Sequence, residues 1–549
     1  MRATTGNKLA LALLGATASA LAAVLVLGVP AADPAPAGIS KIKHVIVIVQ
    51  QNRTFDNYFG TYPGANGIPM KNGIPTVCIP NPASGKCVRP ARDSTDLNVG
   101  GAHGYSSAVA DINGGKMDGF VAQAHPEKCR KNPQLQSCAP GTSAPDVIGY
   151  HDYHEIPNYW AYAKNFVLQD RMFTSSLSWG GPTGSLFMVS GWSARCKIEG
   201  NPMSCSSAVR TNPESPPDNP SGKIPNYAWT DLTYLLHRAG VSWGFYFFTG
   251  ARAECNDYLP VCAPGTPNAK TPARWNPLPY FTTVRDNDQQ ANVRSISKFY
   301  EAAAKGTLPA VSWVVPNPTL SERNPGVVST GESYVPGLVN AVMRGPDWAS
   351  TAIFVTWDDW GGYYDHVSPP RVDENGYGLR VPGLVISPYA KRGFIDGQTL
   401  SFDAYLKFIE DVFLGGRRLD PETDGRPDSR PLVRERVAIL GDLRRDFDFS
   451  QKPRKPVFLP LKPRQLDYSA TWNGKRVSLI STPQVEVARV SDAKRIGRVR
   501  SFQSNDSAYH CLEGATLRAW SLPAEFPGRI VITRRGTHSC RAGTWVLPR

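Results

Sequence analysis

The chain of 549 residues is 41% hydrophobic and 19% charged and carries 49 Gly and 48 Pro, which excludes wholesale disorder and points to packed cores joined by many turns and long loops. Its length allows either about two to four domains or one large α/β domain. The formal charge of +14, from 60 Lys+Arg against 46 Asp+Glu, suits anionic partners such as phosphorylated substrates or an anionic membrane surface; no reading motif points to specific nucleic acid binding, and simple solubility accounts for the charge equally well.

At the N-terminus, Arg2 and Lys8 precede an almost uncharged run from Leu9 to Pro30, which gives way to small residues through Ala37. Residues 1–38 are read as a secretory signal with a flexible leader, with an uncleaved membrane anchor as the alternative. Beyond them, Ile42 to Val49 is a continuous β-branched run of the kind that forms strands buried on both faces. Similar runs recur at Val311 to Val315, Ala352 to Thr356 and Val381 to Ile386, and helical patterns occupy Trp229 to Ala239, Tyr334 to Met343 and Phe402 to Leu414. Strands alternating with helices predict an α/β fold over residues 39–450, with a mainly parallel sheet sandwiched by helices. The Pro- and Lys/Arg-rich residues 451–465 read as a linker, and short alternating segments over 466–549 predict a small C-terminal β-rich module.

The ten cysteines fall in sequence-neighbouring pairs: Cys78 and Cys87, Cys129 and Cys138, Cys196 and Cys205, Cys255 and Cys262, Cys511 and Cys540. Short spacings behind an export signal favour disulfides that each staple one loop. A zinc site is the alternative, but no CxxC pair is present and the histidines do not cluster with the cysteines.

Four polar segments stand out. Val355 to Pro370 contains Asp358-Asp359-Trp360-Gly361-Gly362 and Asp365-His366 directly after a buried strand. Adjacent carboxylates there are costly unless a cation compensates them, whereas an ordinary capped turn would need none. The paired glycines let backbone approach a ligand, and His366 can bind phosphate or move a proton. The second segment is Gln50-Gln51-Asn52-Arg53-Thr54-Phe55-Asp56, and the third is Gly180-Gly181-Pro182-Thr183-Gly184-Ser185, a turn that can present a nucleophilic hydroxyl or be only a turn. The fourth runs from His103 through Asp111-Ile112-Asn113-Gly114-Gly115-Lys116-Met117-Asp118. In open α/β sheets ligands sit beyond the carboxyl ends of strands, so residues after Val49 and after Thr356 are expected to meet in one crevice.

Taken in order, these boxes resemble one family, the bacterial phosphoesterases that include phospholipase C and acid phosphatases and share an alkaline-phosphatase-like α/β fold. The resemblance spans about residues 40 to 415. It implies a catalytic domain at 39–450 and one divalent metal ion held by Gln51, Asn52, Thr183, Asp358 and Asp359. It further implies His103 and His366 on the phosphoryl group, and Thr183 attacking phosphorus to give a phospho-enzyme. Asn113 and Arg323 are the expected substrate-binding side chains. Three departures matter. Gln51 stands where relatives carry Glu, Gly184-Ser185 follow Thr183 in place of the usual Pro-Asn or Pro-Xaa-His, and Arg323 stands where relatives carry His. They leave Ser178 and Ser185 as rival nucleophiles and motivate a second reading, a catalytically weakened binding or cell-envelope interaction protein. A Ser-His-Asp esterase is disfavoured, since no Gly-Xaa-Ser-Xaa-Gly elbow is present. A lipid substrate predicts an apolar rim to the pocket; a small phosphomonoester predicts a narrow polar one.

Overall fold

Eight strands form the central sheet of the computed structural model, which describes residues 38–82, 84–124, 146–178, 180–208, 225–247, 275–318 and 320–461 together with strand segments between 466 and 546. In chain order they are β1 (His44–Gln50), β2 (Val167–Gln169), β3 (Trp243–Phe247), β4 (Val293–Ser295), β5 (Val311–Val314), β6 (Thr351–Trp357), β7 (Gly383–Ile386) and β8 (Phe394–Asp396). Their spatial order is β4-β3-β5-β1-β6-β7-β2-β8. Neighbours pair in parallel except at β6–β7 and β7–β2, so β7 alone runs against the rest. The sheet is thus mainly parallel, as the apolar runs predict.

Val45 to Gln50 and all of β6 are buried, which requires cover on both faces. That cover includes α6 (Val328–Arg344), longer than the expected Tyr334–Met343 helix, and α7 (Phe402–Phe413). Shorter helices include α1 (Phe55–Phe59), α2 (Tyr105–Ile112), α3 (Pro157–Asn165), α4 (Ser185–Ser190) and α5 (Leu232–Arg238). Their starts follow capping chemistry: the Ser401 and Asp231 side chains accept from the amides of Asp403 and Thr233 at α7 and α5. The start of α3 is capped from a distance, because the buried Glu332 carboxylate of α6 accepts from the Asn158 amide at 3.1 Å and the Tyr159 amide at 3.0 Å.

Two expected disulfides are formed, Cys78–Cys87 and Cys196–Cys205, and the second closes a hairpin whose strands pair Cys196 with Cys205. Cys129, Cys138, Cys255, Cys262 and Cys511 lie outside the described residues, as does the side chain of Cys540 and the leader before residue 38. Among the described residues no helix is long and apolar enough to cross a membrane.

The expected C-terminal module contributes two three-stranded antiparallel sheets, one of Leu466–Trp472, Lys475–Thr482 and Val485–Val490 and one of Thr516–Ala519, Gly536–Arg541 and Thr544–Val546. Residues 451–461 of the expected linker are tied to the body. The Arg454 carbonyl accepts from Trp348 Nε1 at 3.1 Å, Leu459 exchanges hydrogen bonds with the Asn340 side chain, and the Pro460 carbonyl accepts from Asn158 Nδ2 at 2.9 Å. Proline suits such a strap, because it gives up a backbone donor that this extended path does not use.

Directly after β1, Thr54 caps α1 by accepting from the Asn57 amide at 3.1 Å and donates to the Tyr364 carbonyl at 2.7 Å, joining the loop after β1 to the loop after β6. Thr54→Ala removes both bonds and leaves a buried carbonyl short of a donor, so equilibrium denaturation should show a loss of about 2 kcal/mol with an unchanged denaturant slope.

Candidate active site

The parallel register of β1 and β6 aligns Gln50 with Trp357, so the residues that follow leave the sheet side by side. The Asp358 amide continues the ladder by donating to the Gln50 carbonyl at 2.9 Å, and the Arg53 amide donates to the Asp359 carbonyl at 3.0 Å. Between them Asn52 adopts a left-handed conformation with φ 62°, which asparagine tolerates better than most residues. Its amide donates to Asp358 Oδ1 at 3.2 Å and its side-chain Nδ2 to Asp359 Oδ1 at 2.9 Å. The expected meeting of the two strand ends is therefore direct contact between hydrogen-bonded neighbours.

The glycine pair has a different role from the expected ligand approach. A Cβ at Gly361 would lie 2.7 Å from the Asn52 carbonyl, and one at Gly362 would overlap Gly101. Their positive φ values of 61° and 77° fold the loop back so that Gly361 donates to Asp359 Oδ1 at 2.7 Å and accepts from the Gly101 amide at 2.9 Å. Asp-Asp-Trp-Gly-Gly is thus a capped turn as well as a carrier of two carboxylates.

His103 joins this group. Its Nδ1 donates to the Gly101 carbonyl at 2.9 Å, which leaves Nε2 to accept from Asn52 Nδ2 at 3.2 Å. Thr183 is fully buried and its Oγ1 has no hydrogen-bond partner among the described residues. It lies in a single π-helical turn, Gly180–Gly184, that enters α4. Gly184 runs so close to Asp358 that a Cβ there would sit 3.2 Å from the Asp358 carbonyl. A narrow cleft is lined by Gln51, Gly184, Ser185 and Asp358 on its polar side and by Met188, Val189, Phe245, Trp275 and Trp313 on its apolar side. Ser185 thus borders the group, while the Ser178 amide donates to Ser176 Oγ at 3.2 Å in the preceding loop.

Burial and the adjacent Asp359 carboxylate push the Asp358 carboxyl well above the usual range; the Asn52 and Asp359 amides and the positive charge of Arg323 act in the opposite direction. Arg323 therefore lies within electrostatic reach of Asp358.

Two expected site residues have partners of their own outside this group. His366 Nδ1 bonds Asp56 Oδ2 at 2.7 Å and its Nε2 lies 3.3 Å from Asn66 Oδ1. Asp56, Asp365 and His366 offer ligand atoms within 4.8 Å of one another, but Arg380 already supplies a cation there, donating to Asp365 at 2.9 Å and to Asp56 at 3.1 Å while stacking 4.6 Å over Phe55. Asn113 is exposed at the end of α2, with a left-handed φ of 42° and its Nδ2 on Asp118 Oδ1 at 2.8 Å. That is the chemistry of a helix C-cap and turn. Its box reaches the site through Asp111, which accepts from Trp360 Nε1 at 3.1 Å behind the Asp358–Asp359 turn.

Sequence reasoning missed the layer beneath. Arg53, fully buried, donates from Nη1 to the Asn52 carbonyl at 2.7 Å and from Nε to Tyr58 Oη at 3.0 Å. Asn324 Nδ2 donates to the Gly361 carbonyl at 2.6 Å. An arginine directly after an apolar strand, followed by aromatics, was the available signal for this layer.

The geometry defines a class: an α/β protein whose central strands end in a cluster of amide, carboxylate and hydroxyl oxygens. Residues 42–414 match the Phosphoesterase family, and the chain belongs to that family. It is 26% identical to the non-hemolytic phospholipase C of Burkholderia pseudomallei, with 75% of this chain aligned to 60% of that protein. It is 25% identical to phospholipase C B of Mycobacterium tuberculosis, with 77% of this chain aligned to 80% of that one. The non-specific phospholipase C6 of Arabidopsis thaliana is 24% identical, over 65% of this chain and 63% of its own.

Two outcomes follow from this geometry. Arg380→Met strands Asp56 and Asp365 as buried carboxylates without their cation and should cost about 3–5 kcal/mol in chemical denaturation. Burial raises the Asp111 carboxyl to about 8, against the opposing Trp360 N–H. The folded chain therefore binds a proton there that the unfolded chain has lost, and Asp111 lowers stability progressively as pH rises from about 4 to about 8. Asp111→Asn should flatten the pH dependence of the unfolding free energy over that window; an unchanged slope refutes the assignment.

Proposed function

We propose that this chain is an exported phosphoester hydrolase that works with a bound divalent metal and the Thr183 hydroxyl as nucleophile. The observation that carries the reading is the junction of Asn52 with both Asp358 and Asp359, beside a turn that holds Thr183 Oγ1 buried without a hydrogen-bond partner among the described residues. The donor set fits a hard cation. Asp358 and Asp359 are both buried at strand ends, the Gln51 and Asn52 side-chain amides offer neutral oxygens, and a buried hydroxyl left unpaired is a cost that a ligand repays. When bound, such an ion supplies Lewis-acid stabilisation of phosphoryl charge and favours the ionised hydroxyl.

The chain's own residues do the rest. Thr183 Oγ1 forms a bond to phosphorus as the alcohol oxygen leaves, and water then releases the phosphoryl group and restores the hydroxyl. Arg323 offers a fixed, planar guanidinium to the phosphoryl oxygens. His103, with Nδ1 held on Gly101, keeps its Nε2 directed to Asn52 and fixes the amide that bridges the two carboxylates. The apolar side of the cleft, Met188, Val189, Phe245, Trp275 and Trp313, favours an ester whose alcohol is apolar, in keeping with the phospholipases C among the relatives. Residues 1–38 serve export in this reading, and the charge of +14 assists approach to an anionic membrane surface.

The second reading, a weakened binding protein, draws on Gln51, which removes one anionic donor from the group. Purified protein should contain close to one equivalent of divalent metal and hydrolyse p-nitrophenyl phosphate or its phosphocholine ester in a chelator-sensitive way. Thr183→Val and Asp358→Ala should each lower turnover by at least about 100-fold, and Gln51→Glu should tighten metal binding. Equal and negligible turnover by the wild type and Asp358→Ala would favour the binding reading.

A further inference from the structure

Glu322 lies in the loop after β5, is 1% exposed and holds a positive φ of 56°, a conformation glutamate adopts rarely. Its carboxylate accepts from Tyr58 Oη at 2.7 Å, Tyr159 Oη at 2.6 Å and Trp357 Nε1 at 2.9 Å. These donors arrive from α1, α3 and the last residue of β6. Gly331 leaves the necessary room, since a Cβ there would overlap the Glu322 carboxylate. Burying a carboxylate is costly even when it is well bonded, and an apolar side chain would fill the same space more cheaply.

What an apolar residue would not supply is connection. Trp357 directly precedes Asp358. Tyr58 Oη passes the link to Arg53, and Arg53 Nη1 donates to the Asn52 carbonyl at 2.7 Å. Arg323, whose charge acts on Asp358, is the next residue in the chain. One carboxylate thus reaches all three parts of the candidate site, each by a different path.

We propose that Glu322 is a positioning residue that sets the relative placement of Asn52, Asp358 and Arg323, and so the affinity of the site for metal and phosphoryl oxygens. The inference rests on the catalytic reading above, and Glu322 itself touches neither ligand. Three variants separate positioning from packing. Glu322→Gln keeps volume and removes the charge; Tyr58→Phe cuts the path to Arg53 while leaving Glu322; Tyr159→Phe removes a hydrogen bond to Glu322 that lies on none of the three paths. Mn²⁺ and inorganic phosphate affinities are measured by calorimetry on the full chain, alongside thermal midpoints.

Glu322→Gln and Tyr58→Phe should weaken Mn²⁺ binding by about tenfold or more, whereas Tyr159→Phe should lower the midpoint and change Mn²⁺ affinity less than about twofold. Should Glu322→Gln fail to fold, Tyr58→Phe carries the comparison. Unchanged Mn²⁺ affinity in Tyr58→Phe and Glu322→Gln, or losses in all three that simply track the midpoint, overturn the proposal. A wild type that takes up no divalent metal sinks the metal reading instead. Phosphate affinity then decides on Glu322: a loss confined to Glu322→Gln and Tyr58→Phe sustains it, and equal affinities reject it.

Discussion

The rest of the structure depends on the pairing of β1 with β6 at the centre of the sheet. Because the two strands are parallel and in register up to Gln50 and Trp357, two chain segments about 300 residues apart leave the sheet at the same height. Two adjacent carboxylates and an asparagine amide then have no choice but to meet. A slip of one residue would turn every side chain of β6 to the other face and carry Asp358 and Asp359 out of line with Asn52. Burial of β6 and of Val45 to Gln50 makes that slip expensive, so the apolar middle of the sheet fixes the geometry of its polar end.

Around this junction the fold handles charge in two ways. Asp56 and Asp365 face a resident arginine, Arg380, and their electrostatics are closed within the chain. At Asp358 and Asp359 the neighbours are mostly hydrogen-bond donors, and the nearby charge of Arg323 comes from a half-buried side chain. The first arrangement is that of a structural ion cluster, and the second is the one on which the proposed function rests. The contrast leaves Asp358 and Asp359, bonded to Asn52, as the candidate acids for a cation, and not the Asp56–Asp365–His366 cluster, which already holds Arg380.

Local sequence made the apolar strands legible, because strands buried on both faces must be apolar throughout, and it made the Asp358-Asp359 and Asn52 boxes legible because polar residues there break such runs. It was less informative wherever a side chain's role depends on a distant partner. His366 follows Asp365 in the most suggestive box, yet its partners are Asp56 and Asn66, from the segment after β1. Asn113 sits among glycines in a box that resembles the family, but the left-handed turn that ends α2 accounts for it, while Asp111 makes the contact behind Trp360. Gly361 and Gly362, read as room for a ligand, also admit the neighbouring loops. Nothing local revealed Glu322, whose partners lie between 35 and 264 positions away.

The strap at residues 451–461 sets where this protein can be cut. Its carbonyls take up donors from Trp348, Asn340 and Asn158, side chains on or beside the helices that flank the sheet. Shortened forms made to isolate the family region should therefore end after Leu461, past the boundary at 414 that the family match alone would suggest. Stopping earlier would remove the acceptors of Trp348 Nε1 and Asn340 Nδ2 and one of the two held by Asn158 Nδ2, and the resulting loss of stability would be mistaken for a requirement for the C-terminal strands.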